Sequence, residues 1–150
     1  MIQDLVQNRK AFHDYEILDT FEAGIVLFGT EVKSLKGHHG SLQDAFITVK
    51  KKELWLIHSF IPPYSHGGIA FNHEERRERK LLMHKREIEK IQRQLEQKGL
   101  TVIPLAFYVK NGRIKVKVAL AQGRKSYDKR AKIKEKESKR QIEKIIKQRS

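Results

Sequence analysis

Hydrophobic and polar positions alternate most cleanly in RIKVKVAL, residues 113–120. Ile114, Val116 and Val118 point one way, and Arg113, Lys115 and Lys117 the other, which predicts a strand with a core face and a basic stripe. TVIPLAFYV precedes it, and the Asn111-Gly112 pair between them is the strongest hairpin signal in the chain. Upstream, FHDYEILDTFEAGIVLF (Phe12 to Phe28) reads as extended and broken near Glu22-Ala23-Gly24, where the glycine implies a bulge or bend. LQDAFITVKKKELWLIHSFI reads as a second hairpin about Lys51-Lys52, although lysines are poor turn formers.

Two stretches carry the longer, helical period. In GTEVKSLKGHHG, Thr30 is the expected N-cap, Val32 and Leu35 face inward, and Gly37 ends a short helix. From Asn72, apolar or packed positions recur at Leu81, His84, Ile88, Ile91 and Leu95. Asn72 with Glu75 has capping-box spacing, and Gly99 stops the predicted long helix. Five or six strands with these helices make an α+β, mainly β, antiparallel domain. A small barrel of about six strands with flanking helices is the expected form, because closure removes exposed strand edges.

Length allows one domain with a real core: 150 residues, 39% of them hydrophobic. Charge changes the picture more. The chain holds 32 Lys and Arg against 18 Asp and Glu, a net +14. Such a balance points to a polyanionic partner, nucleic acid first and an acidic membrane surface second, because phosphate contacts draw affinity from counterion release. There are no cysteines, so disulfides and thiolate chemistry are excluded. MIQDLVQNRKAF has no apolar run long enough for a signal peptide, and no stretch approaches the ~20 residues of a membrane span. A soluble, cytoplasmic protein is expected.

Candidate chemistry is sparse. His38-His39 and His66 with His73 lack the three or four ligands at defined spacing that a zinc site needs, so no metal or other cofactor is expected. Asp14, Asp19 and Glu22 can be imagined as a nuclease cluster, but their spacing on one bent strand suits a solvated edge better. No catalytic residue is predicted. NRKAFHDY, Asn8 to Tyr15, differs in kind: an amide, two cations, an imidazole and two aromatics occupy eight residues. Phosphates want the cations, and unstacked bases want aromatic faces and polar edges. A charged segment leading into the first strand is the competing reading.

The division expected along the chain is an RNA-binding barrel over 1–122 and a basic tail over 123–150. That tail has twelve Lys or Arg against four Asp or Glu, a net +8, which leaves +6 on residues 1–122. On a helix, Ile142, Ile145 and Ile146 share a face while Ile133 falls opposite. One short apolar patch cannot offset the entropy of ordering 28 residues, so the tail is expected to be disordered when free. Against a polyanion its lysine repulsion is neutralised and its good helix formers can order. A plain solubility tail is the alternative.

Five blocks in register, NRKAFHDYEI, FEAGIVLFGTEVKSL, NH…R.RKLLMHKREI, G.TVIPL..Y and GRKSYDKR…K, resemble the small protein B (SmpB) family. The resemblance covers nearly the whole chain. Members of that family are the SsrA-binding partners of transfer-messenger RNA in bacterial trans-translation. It implies an oligonucleotide-binding-type (OB-like) barrel, binding to the tRNA-like domain of transfer-messenger RNA, and delivery to stalled ribosomes. Asn8, Glu22 and the leucines beginning at Leu81 match family positions important for the RNA. Arg9, Lys10, Lys33, Arg79 and Lys80 match positions near phosphates, and His13 a position near the small-subunit decoding region. Tyr127, Asp128, Lys129 and Arg130, with Lys132 and Lys134 after them, match the tail motif that enters the vacant messenger channel and becomes helical there. No enzyme activity is expected, the scattered isoleucines and the lack of a Trp- or Phe-rich face argue against a membrane partner, and the protein is expected to be monomeric when free. Glu75 stands where the family commonly has proline, and Gly37-His38-His39 is shifted against the usual glycine placement. Composition alone leaves a general single-stranded RNA binder or chaperone open as the second reading.

Overall fold

The computed structural model describes residues 2–65 and 72–123. Seven strands and three helices follow in the order β1 (Ile2–Gln7), α1 (Arg9–Asp14), β2 (Tyr15–Ile25), α2 (Gly29–Lys36), β3 (Phe46–Lys50), β4 (Glu53–Ile57), β5 (Arg79–Leu82), α3 (Lys85–Leu95), β6 (Leu100–Lys110) and β7 (Arg113–Gly123). All strands join one antiparallel sheet in the order β1-β6-β7-β2-β5-β4-β3. The sheet curls so that β3 comes against β6, which makes an OB-like α+β fold with its main core inside.

Period-2 patterning places that core. Ile114, Val116 and Val118 are buried, whereas Arg113 and Lys117 are exposed. Both expected hairpins form. Asn111 and Gly112 take φ of 52° and 77°, and Lys51 and Lys52 take 51° and 64°. Two lysines therefore occupy left-handed turn positions that suit Asn-Gly far better. Gly24 does not carry the bulge. The register of β2 against β7 slips between Ile17 and Asp19, and at Gly24 the strand exchanges β7 for β5. Gly24 pairs with Lys115 on one side and Leu82 on the other.

Four sequence expectations need correction. The helix expected from Asn72 begins only at Lys85, because residues 79–82 are needed as β5 to bridge β2 and β4. Asn72 instead donates to the Tyr64 carbonyl and accepts from its amide, and His84, read as a packed helix residue, is the exposed cap whose amide reaches Glu87. Phe28, not Thr30, caps α2, its amide donating to Glu31 Oε1 at 2.7 Å. Thr30 is occupied by a 2.9 Å hydrogen bond to His73. Finally, Phe12–Asp14, expected as strand, belongs to α1, and Ile2–Gln7 supplies a strand the pattern did not predict.

Helix α1 explains why β6 and the end of β7 are apolar on both faces. Ala11 packs with Ile103, Leu105, Ala119 and Ala121 in a second small core on the outer face of those strands. Both faces of that part of the sheet are thus covered, and the small alanines admit the helix.

Candidate RNA interface

Strand β6 holds both Asn8 and Glu22, at points about four residues apart. Asn8 is buried; its Nδ2 donates to the Pro104 carbonyl at 2.9 Å and its amide to the Leu105 carbonyl at 2.8 Å. The acceptors lie at a register slip of β6 between Pro104 and Ala106. Asn8 thereby ties the start of α1 to the sheet. Arg9, Lys10, Phe12 and His13 then project as an exposed cluster of cations, aromatic ring and imidazole, with His13 Nδ1 3.2 Å from Asp14.

Four residues further along β6, roughly 13 Å, Tyr108 donates from its hydroxyl to Glu22 Oε1 at 2.9 Å. Lys110 Nζ donates to the same oxygen at 3.1 Å. These two hydrogen bonds, the lysine's first, hold the Glu22 carboxyl below the usual carboxylate range. Burial first, then the hydrogen bond to Glu22 and its charge, push the Tyr108 hydroxyl above its ordinary range, so it remains a donor. The pair lines an open groove of about 260 Å³ with Ile2, Asp4, Phe21 and Lys117. Lys117 faces Glu22 across β2–β7 and comes from the basic stripe. A carboxylate with one oxygen committed and the other without a partner among the described residues, flanked by lysines, can accept from base or ribose donors while the cations meet phosphate.

Lys33 lies exposed on α2, 5.4 Å from the Tyr64 ring. Lys80 is held by Glu53 at 2.6 Å. Arg79 and Leu81, expected among the RNA-binding residues, point inward. Arg79 is 0% exposed, and Leu81 is part of the core. Tyr127, Asp128, Lys129, Arg130, Lys132 and Lys134 lie outside the described residues, as does the expected tail as a whole.

The residues sequence reasoning missed surround Arg79. Its Nε donates to Glu31 Oε2 at 2.7 Å, and Arg77 Nη2 donates to Glu31 Oε1 at 2.6 Å. The remaining Arg79 donors meet Ser59 and the carbonyls of Glu74, Glu75 and Arg77. Burial works against the Glu31 charge, yet the Arg77, Phe28 and Arg79 contacts outweigh it and keep the carboxyl below its ordinary range. One signal was available: Glu31 stands one helical turn before Leu35, on the buried face of α2. This cluster fixes α2, with Lys33 upon it, against the 74–79 segment.

With the geometry in place, comparison with known proteins is decisive. The model of the family described as SmpB protein matches residues 5–148. The chain belongs to the SmpB protein family. A protein named SsrA-binding protein in Protochlamydia amoebophila is 59% identical over 145 residues, 97% of this chain and 94% of that one. The protein of the same name in Chlamydia muridarum is 52% identical over 141 residues, 94% of this chain and 93% of its own, and that in Fervidobacterium nodosum 51% over 144 residues, 95% and 96%. Among solved structures, a chain from "tmRNA-SmpB: a journey to the center of the bacterial ribosome" superposes with a TM-score of 0.67 at 47% identity, covering 78% of this chain and 82% of that one. The family match takes in Asn8, Glu22 and the tail motif alike.

Proposed function

We propose that this chain is a non-enzymatic, cytoplasmic adaptor that binds the tRNA-like domain of transfer-messenger RNA and presents it to stalled ribosomes for trans-translation. The observation that carries the reading is the unbroken family match over residues 5–148, on a chain whose net charge is +14. Glu22 and the cations around its groove read base or ribose edges and phosphates. Arg9, Lys10, His13, Lys33 and Lys80 extend the contact from α1, α2 and β5. Asn8, Arg79 and Leu81 act from inside, by holding α1 and β5 in place. The tail, with Tyr127, Asp128, Lys129 and Arg130 and then Lys132 and Lys134, engages the small-subunit decoding centre and messenger channel. No helix among the described residues is long and apolar enough to cross a membrane.

The test is a division of labour. Asp128→Ala, Lys129→Ala and Arg130→Ala together leave affinity for transfer-messenger RNA near normal under excess tRNA but abolish tagging of stalled peptides. Equal loss of both activities refutes the division. Binding that excess tRNA abolishes in the unaltered protein identifies a general RNA binder instead.

A further inference from the structure

Helix α1, the start of β2 and the turn before β3 enclose a small pocket of about 90 Å³, lined by Asn8, Lys10, Asp14, Tyr15, Asp44 and Ile103. Asn8 is 8% exposed. Its Nδ2 and its amide are both spent on β6, and its Oδ1 meets no donor among the described residues. Asp44 stands third in a turn closed by the Ala45 amide on the Leu42 carbonyl at 3.0 Å. Its φ is 68°, where such a turn favours Gly or Asn, and its exposed carboxylate has no donor among the described residues. Strain of this kind persists mostly where the side chain is used. Asp14, its Oδ1 3.2 Å from His13 Nδ1, brings a second carboxylate. Lys10 lines the pocket but enters no ion pair among the described residues.

The last strand ends at this spot. Gly123 pairs with Tyr15, itself a pocket residue. Ala119 and Ala121 face α1, where they pack with Ala11. Alternation carries that face to Gly123 and, two residues on, to Lys125. We propose that Lys125 seats its ammonium in this pocket, donating to Asp44, Asp14 and Asn8 Oδ1, and so ties the root of the basic tail to α1. An ammonium has three donors and no acceptor, which matches two carboxylates and an amide oxygen. Connectivity selects this cation over a free one, since a side chain two residues from the pocket's own strand pair is present at high effective concentration. The volume, about that of three waters, admits the ammonium with water beside it. Residues 126–150 then start from a fixed point beside His13. The inference concerns the chain by itself and does not rest on the RNA-binding reading.

A water-soluble carbodiimide condenses a carboxylate with an amine in contact with it, losing water. Treating the full chain and mapping its peptides yields Lys125 joined to Asp44 or Asp14. The Glu53–Lys80 pair, 2.6 Å apart, supplies the positive control within the same molecule. Asp44→Asn keeps the turn, because Asn tolerates positive φ. In that variant, and in Lys125→Gln, the amides of α1 exchange about two- to fivefold faster. The double variant exchanges no faster than either, and Arg124→Gln leaves exchange unchanged. A Glu53–Lys80 product without any Lys125 product, Lys10 joined to Asp44 in its place, or additive effects of the two substitutions overturns the proposal.

Discussion

Glu31→Gln isolates the charge at the centre of the fold while keeping side-chain shape. The carboxylate accepts from the Phe28 amide, from Nε and Nη2 of Arg77 and from Nε of Arg79, with distances from 2.6 to 3.0 Å. Its own side chain and that of Arg79 are 0% exposed. In the glutamine variant the Arg79 guanidinium stays buried without a counter-charge, and an amide donor faces guanidinium donors. Breaking a buried pair from one side costs about 3–5 kcal/mol. Arg77, 22% exposed, can turn to water and adds little. Against a total of about 5–15 kcal/mol for a domain, this is a large fraction, and a drop in melting temperature on the order of 10 °C follows. Urea unfolding followed by Trp55 emission measures it. Glu31→Leu with Arg79→Met, which removes both charges, loses less than the single changes summed. The pH dependence has a definite sign. Since the folded-state pKa of Glu31 lies below its ordinary 4.5, its contribution is full above that value and is lost as pH falls through the lower folded value. Glu31→Gln therefore flattens the acid limb of stability. A glutamine variant within about 1 kcal/mol of the parent, with the acid limb unchanged, refutes the reasoning.

Three further outcomes follow from the geometry. Lys51→Asn with Lys52→Gly stabilises by about 1 kcal/mol or more in urea unfolding, since both lysines hold left-handed φ values, 51° and 64°. Gly40→Ala destabilises by about 1–3 kcal/mol: φ is +145°, and an added Cβ meets the Phe60 carbonyl oxygen at 3.1 Å. Thermal unfolding of the two variants shows shifts of opposite sign. Asn8→Ala leaves the Pro104 carbonyl without its side-chain donor and costs about 1–3 kcal/mol. Hydrogen exchange reads it as faster opening of α1 than of β4.

Elements legible in the sequence were those whose signals are local. The β6–β7 hairpin follows from period-2 alternation about Asn111-Gly112, and the Lys51-Lys52 hairpin from two apolar runs separated by a charged pair. The capped start of α3 is not legible locally, because the spacing admits two answers. Asn72–Glu75 and His84–Glu87 both sit three residues apart, and only the pairing of Leu81 with Ile25 and Leu54 decides between them. Motif blocks single out Glu22 and Asn8 but say nothing of their contacts.

Tertiary structure decided the contacts themselves. Tyr108 and Lys110 reach Glu22 across more than eighty residues, and Arg79 reaches Glu31 across 48. An arginine in a basic segment reads as a surface cation, yet Arg79 is interior because β5 alternates it with Lys80 and a buried acid awaits it. Sequence by itself determined the charge, the strand periods and the turn at Asn111-Gly112, because each depends on residues within one turn or pleat of one another. Only the fold decided which charges are buried, since burial depends on what the closed sheet brings to the opposite side.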